Sequence, residues 1–145
     1  MPARFHDDDV RSRLTDKRRL STFLDGLVRA HRPAARYVSL TVVFVSDEKL
    51  AQMNAEFLQH DTFTDIITFD LSESEAETVG ELYISVDRVG ENARGFGVTY
   101  IHELHRVIFH GVLHLCGFGD KTSDEEATMR VMEARCLEAY FDVAI

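Results

Sequence analysis

A chain of 145 residues is close to the usual size of one domain and is long enough to bury a hydrophobic core. With 45% hydrophobic and 28% charged residues it has the composition of a folded globular protein, which excludes a disordered chain. No apolar run approaches the roughly 18 residues that span a bilayer, and the N-terminus, MPARFHDDDV, does not resemble a signal peptide. We therefore expect a single domain over residues 1–145, in the cytoplasm and without a membrane partner.

The net charge of −9 argues against a protein coated in basic residues for binding nucleic acid. The positive charges are nevertheless concentrated near the N-terminus, at Arg11, Arg13, Lys17, Arg18, Arg19, Arg29, Arg32 and Arg36. This basic region is either a phosphate-facing patch or a solvated basic helix, and charge alone favours the solvated helix.

The two cysteines, Cys116 and Cys136, form no CxxC pair and indicate free thiols in a reducing compartment. Cys116 lies two residues after His114, so on a helix it points away from that histidine and is not expected to bind metal.

The first half of the chain predicts helix, strand and helix. Residues 16–31 carry one apolar helical face, followed by Pro33 as a stop signal. The β-branched run YVSLTVVFV (37–45) predicts a buried strand. Ser46 is a candidate N-cap for a helix that reaches about Phe57.

Two paired strands follow. TDIITFDL (64–71) and ELYISVDRV (81–89) suit an antiparallel pair, separated by the acidic loop SESEAETVG. A short helix over 87–94 is expected next, closed by Gly95 and Gly97.

Two longer helices complete the chain. The first runs from about Thr99 to Cys116, and the second begins at a capping box over residues 122–125. Helices that outnumber the strands and interleave with them indicate an α/β or α+β fold with a small mixed sheet.

The segment HGVLHLCGFGDK (110–121) carries the chemistry. On a helix, His110 and His114 are one turn apart and face the same way, so both can reach one ion. Gly117 can end that helix in a left-handed turn and Gly119 gives the returning chain freedom, which could bring Asp120 back as a third ligand.

Two imidazole nitrogens and a carboxylate oxygen, with a fourth position open to water, are typical of a catalytic zinc site. A zinc ion there would lower the pKa of its bound water towards about 7. The alternative is a helix whose histidines are merely hydrogen-bonded and whose Asp120 caps a turn.

Gly111 disfavours a metalloprotease, because the HExxH zinc proteases carry their glutamate at this position. The upstream segment HELH has the wrong spacing for a zinc pair. We expect His102 and His105 to be exposed or to lie behind the ligands. Gly111 itself would allow another backbone to approach closely.

HGVLHLCGFGD resembles the HGxLHLxGYDH signature of the YbeY-type endoribonucleases, which are also described as ribosomal RNA maturation factors. TDIITF (64–69) is similar to that family's T-D-V-L-S-F segment, with Asn54 ten residues ahead of Thr64. GELYISVDRV (80–89) is similar to its G-D-I-x-I-S strand. The resemblance extends from about Val38 to Glu133.

The resemblance implies a compact α/β domain with its metal site on a central helix. It implies one zinc ion per chain, held by His110, His114 and Asp120, with His114 and Asp120 as catalytic residues. It also implies single-strand-specific cleavage during maturation of the 3′ end of 16S rRNA, and ribosome quality control. The partners would be the rRNA precursor and the small ribosomal subunit, without a nucleotide cofactor.

Two positions depart from the family pattern. Asp120 replaces the usual histidine, and this anionic ligand should weaken the Lewis acidity of the ion somewhat. Leu58 replaces an arginine expected to hold the RNA phosphate, so the metal with His60, or the basic N-terminal region, would have to supply that charge. Thr64 and Asp65 either shape the RNA cleft or cap a strand.

A metal-dependent endoribonuclease is therefore the leading hypothesis. One alternative is a non-catalytic ribosome-assembly factor with a structural metal. The other is a zinc hydrolase of small substrates, but no other feature of the chain suggests a small-molecule pocket. The native metal, the cleavage position, the oligomeric state and the ribosomal protein partners do not follow from the sequence.

Overall fold

The computed structural model describes residues 1–57, without the side chain of Phe57, and residues 64–141. The elements in these ranges are β1 (Ala3–Asp7), α1 (Lys17–His31), β2 (Tyr37–Val45), α2 (Asp47–Phe57), β3 (Ile66–Asp70), β4 (Glu77–Ser85), α3 (Val86–Phe96), α4 (Tyr100–Leu115) and α5 (Ser123–Phe141). Within those ranges no helix has both the length and the apolar character that crossing a membrane requires.

The strands form one mixed sheet in the order β1-β2-β4-β3. β1 and β4 run parallel to β2, whereas β3 runs antiparallel to β4. This confirms the mixed sheet and the antiparallel pair expected from the sequence. Because β1, β2 and β4 are parallel, the segments that follow them all leave the sheet at the same edge.

Helix α4 is the central helix, as predicted. Ten of its sixteen residues are buried, and it packs against the sheet and against α1, α3 and α5. The main core therefore lies on this face of the sheet. A smaller cluster of Val45, Leu50 and Ile67 lies beside α2, which contacts β3 and β4.

The boundary between β4 and α3 corrects the prediction. The strand ends at Ser85, whereas residues 81–89 were expected to be extended, and it begins at Glu77 within the predicted acidic loop. The hydroxyl of Ser85 accepts a hydrogen bond from the N–H of Arg88 at 3.1 Å, so Ser85 acts as an N-cap and starts the helix. Gly97, at a φ of 69°, ends α3 as expected, whereas Gly95, also expected to close the helix, lies within it.

Candidate metal centre

The C-terminal end of α4 turns the chain back over the two histidines. The N–H of Gly117 donates to the carbonyl of His114 at 3.0 Å, and the N–H of Phe118 donates to the carbonyl of Leu113 at 3.0 Å. These paired bonds are those of a Schellman motif, and Gly117 has the left-handed φ that it requires, 102°. The predicted glycine turn is confirmed at Gly117.

The segment after this turn is fixed by hydrogen bonds at the N-terminus of α5. The hydroxyl of Thr122 accepts from the N–H of Glu125 at 3.1 Å, and the Glu125 carboxylate accepts from the N–H of Thr122 at 3.1 Å. This is the expected capping box. A Cβ on Gly119 would lie 2.7 Å from Oε2 of Glu125, so Gly119 provides room for this carboxylate, and it does not adopt a left-handed φ.

The turn brings Asp120 beside both histidines. Nε2 of His114 lies 3.0 Å from Nε2 of His110 and 3.3 Å from Oδ2 of Asp120, and Nε2 of His110 lies 3.4 Å from the same oxygen. The three predicted ligands are therefore together, as one triangle of donor atoms that could hold a metal ion.

The size of the triangle fits a zinc ion. Donor atoms about 2.0–2.1 Å from a tetrahedral zinc lie about 3.3 Å from one another, and the observed edges are 3.0–3.4 Å. The donor set, two imidazoles and one carboxylate, is one that zinc uses in catalytic sites. The side chain of Asp120 is 42% exposed, so the site opens to solvent at this ligand.

Glu133 of α5 orients one ligand. Its Oε2 lies 2.6 Å from Nδ1 of His110, and its side chain is only 2% exposed. Because a carboxylate accepts hydrogen bonds, this contact keeps the proton on Nδ1 and leaves Nε2 free for metal. Carboxylates behind metal-bound histidines commonly have this role. The sequence interpretation did not include Glu133 among the site residues.

A buried ionic network continues behind Glu133. Nη1 of Arg106 lies 2.9 Å from Glu133, and Nη2 lies 2.6 Å from the Glu103 carboxylate. Burial alone would raise the pKa of Glu133, but the hydrogen bond with His110 and the charge of Arg106 outweigh it, so the pKa is lowered. Glu133 is therefore held as the carboxylate that orients His110.

The three donor side chains form one wall of a cleft of about 650 Å³. Strand β3 and the residues before it form the opposite wall, including Thr64 and Asp65. The carbonyl of Asp65 also accepts from the N–H of Ser85 at 3.0 Å, so this residue both extends the strand pairing and lines the cleft. Burial raises the pKa of its side chain, and Arg106, 3.9 Å away, only partly opposes this effect.

The chain is similar to known proteins over most of its length. The family model described as "Endoribonuclease YbeY" matches residues 6–141. The chain belongs to the endoribonuclease YbeY family. It is 42% identical to "Endoribonuclease YbeY" of Cytophaga hutchinsonii over 89% of each chain, and 37% identical to that of Parabacteroides distasonis over 94% of each. A solution structure of a Thermotoga maritima protein superposes with a TM-score of 0.61 at 29% identity, covering 97% of this chain and 89% of that one.

Gly111 has a packing role in this YbeY-family chain. A Cβ at this position would lie 2.5 Å from Cδ2 of Leu82 and 2.6 Å from Cδ1 of Ile66. Side chains of the sheet therefore approach Gly111 closely, whereas a backbone was expected there. The glutamate of an HExxH motif would not fit without rearrangement, which agrees with the rejection of a metalloprotease.

The expectation for His105 was wrong. Its side chain is buried in the core, where Nδ1 lies 2.8 Å from the carbonyl oxygen of Ile101 and the ring stacks on Tyr140. Burial lowers its pKa below the ordinary value, so the ring is held neutral. His102 is partly exposed at the start of α4, as expected, and neither histidine belongs to the metal group.

Cys116 is also outside the group of His110, His114 and Asp120. The family departure at Leu58, and His60 as its possible substitute, lie outside the described residues.

Proposed function

We propose that this chain is a zinc-dependent endoribonuclease that cuts single-stranded RNA and matures the 3′ end of 16S rRNA in the cytoplasm. It acts as one domain, with the rRNA precursor as substrate and the small ribosomal subunit as partner. The observation that carries the proposal is the donor triangle of His110, His114 and Asp120, which opens into a cleft. Relatives of this chain carry the name endoribonuclease, and the proposal extends that activity to it.

All three ligands line the cleft, and His110 is in addition held from behind. His110 is fixed by Glu133, whereas the side chains of His114 and Asp120 are 27% and 42% exposed. We assign His114 and Asp120 as catalytic residues because they are the more exposed of the three side chains that would hold the ion. The zinc ion, when bound, supplies positive charge for the scissile phosphate and lowers the pKa of water.

The charge of the cleft explains why RNA cleavage would require the cation. Its lining includes three carboxylates, those of Asp65, Asp70 and Asp120, and the ammonium group of Lys121. The Arg106 guanidinium, at the back of the site, is paired with Glu103 and Glu133. A phosphate would therefore meet net repulsion from these groups, and a divalent cation offsets it.

Metal removal tests this proposal. Wild-type protein is treated with a chelator and then reloaded with zinc, and cleavage is followed on a labelled single-stranded RNA and on the same sequence as a duplex. We expect cleavage of the single strand alone, abolished by the chelator and restored by zinc. Protein that holds one zinc per chain yet leaves the single strand uncut would instead be a non-catalytic assembly factor.

A further inference from the structure

A second cleft, of about 520 Å³, lies apart from the metal centre between α3 and the segment that follows β1. Residues 8–16 leave β1, and α3 leaves β4, at the same edge of the sheet because these strands are parallel to β2. Asp65 lies at this edge too, since its carbonyl bonds to Ser85 at the end of β4. The second cleft and the Asp65 end of the metal cleft therefore lie at the same edge of the sheet.

Three guanidinium groups line this second cleft, those of Arg11, Arg13 and Arg94. In the part of the chain that the structure describes, none of the three has a carboxylate within 4.0 Å. The cleft's positive charge is thus available to a ligand.

The two carboxylates of the cleft are engaged elsewhere. Oδ2 of Asp87 accepts from the N–H of Asp47 at 2.9 Å, which satisfies the first turn of α2. The Glu91 carboxylate pairs with Arg88 at 3.1 Å. The three guanidinium groups outnumber these two carboxylates, which already have partners, so the cleft is suited to an anion.

Arg13 is held in place before any ligand arrives. Its backbone has a φ of 60°, a left-handed conformation that is uncommon for a residue with a Cβ. Its guanidinium lies 4.3 Å from the centre of the Tyr100 ring, and the Tyr100 hydroxyl donates to the carbonyl of Ser12 at 2.9 Å. Strained residues that neighbouring groups hold in this way occur often in ligand sites.

The rest of the basic region is partly used inside the protein. Arg19 contacts the Tyr140 ring and carbonyl, Arg29 pairs with Asp25 and Arg32 donates to the carbonyl of Leu115. Neither a phosphate-facing patch nor a solvated basic helix, the two expectations from the sequence, describes the whole basic region. Arg11 and Arg13 lie outside α1 and face a cleft, whereas several arginines within and after α1 serve the fold.

We propose that Arg11, Arg13 and Arg94 bind backbone phosphates of the single-stranded RNA that occupies the metal cleft. This inference rests on the proposed function. Tyr100 and His110 are on the same helix, ten residues or about 15 Å apart along its axis, a span that a short single strand can cover. The position of this cleft at the same edge of the sheet as the Asp65 end of the metal cleft favours RNA over an acidic protein.

Salt-dependent binding tests the site. Arg11, Arg13 and Arg94 are replaced together by glutamine, and the matched control replaces Arg4, Arg36 and Arg135, which are exposed outside this cleft. The probe is a single-stranded RNA of about 12 nucleotides with phosphorothioate linkages, so that cleavage is slowed. We expect the cleft variant to bind about 10- to 100-fold more weakly near 0.1 M salt, with a salt slope reduced by about 2, since each phosphate contact contributes about 0.7.

The control variant should keep most of the wild-type slope, and both variants should show the wild-type circular dichroism spectrum. An equal loss of RNA affinity in both variants, or no loss in the cleft variant, would contradict phosphate binding by these three arginines. If the arginine site is contradicted but the wild type still cuts RNA with zinc, the proposed endoribonuclease function stands. If the wild type neither binds nor cuts RNA, the endoribonuclease function and the arginine site are both contradicted. Tight Arg-dependent binding of poly-glutamate at the same salt would assign the cleft to an acidic protein instead.

Discussion

Replacing His114 with alanine is expected to remove zinc from the purified protein and to slow RNA cleavage by about 100- to 1,000-fold. His114 contributes one corner of the donor triangle, 3.0 Å from Nε2 of His110 and 3.3 Å from Asp120. Two remaining ligands would hold zinc poorly, and the ion accounts for several kcal/mol of transition-state stabilisation. Elemental analysis of the zinc content and single-turnover cleavage of a labelled RNA measure the two effects.

His6→Ala provides the matched control, because His6 is exposed on β1 and outside the metal group. It should keep one zinc per chain and wild-type cleavage. Retention of stoichiometric zinc in His114→Ala would show that the ion binds elsewhere, and full activity without zinc would show that cleavage does not need it.

Glu133→Gln is expected to weaken zinc binding by about 10- to 100-fold, the usual cost of losing a carboxylate behind a metal-bound histidine. The variant keeps the size of the side chain but loses the charge that sets the proton on Nδ1 of His110, 2.6 Å away. It also leaves Arg106 with one carboxylate fewer in a buried site. Competition with a chromophoric chelator measures the affinity directly.

Glu138→Gln is the control for this second variant, since Glu138 is exposed on the same helix. A role in positioning predicts that saturating zinc restores much of the cleavage by Glu133→Gln, because the ligands themselves are intact. An unchanged zinc affinity in a folded Glu133→Gln protein would show that Glu133 does not orient His110.

The ligand turn could be predicted from sequence because all its determinants are local. Histidines four apart on a helix share a face, and Gly117 is the residue that a left-handed helix end requires. The capping box at Thr122 and Glu125 is likewise a short-range pattern. These local rules place Asp120 near the histidines without knowledge of the rest of the fold.

Glu133 and β1 were missed because tertiary contacts define them. Glu133 is 23 residues from His110, and only the packing of α5 on α4 joins them. One signal was available: Glu133 lies in the apolar helical stripe formed by Met129, Cys136 and Tyr140, where an unpaired carboxylate would be costly. β1 is five residues long and depends on its pairing with β2.

The acidic charge of the chain and its proposed RNA substrate are compatible in this structure. The ion would offset the carboxylates near the metal cleft. The proposed RNA-binding arginines lie in a separate cleft, at the edge of the sheet where the Asp65 end of the metal cleft lies. Because exposed charges are screened by salt, this division predicts strong salt dependence for binding and weaker dependence for metal retention.

The catalytic metal centre is tested most directly by mapping the 3′ ends of 16S rRNA in cells that lack this gene and express either wild type or Asp120→Ala. We expect wild type to restore mature ends and cells with Asp120→Ala to accumulate the extended precursor. Asp120→His, which restores a zinc-binding side chain, should rescue maturation. Equal rescue by wild type and Asp120→Ala would contradict the catalytic metal centre.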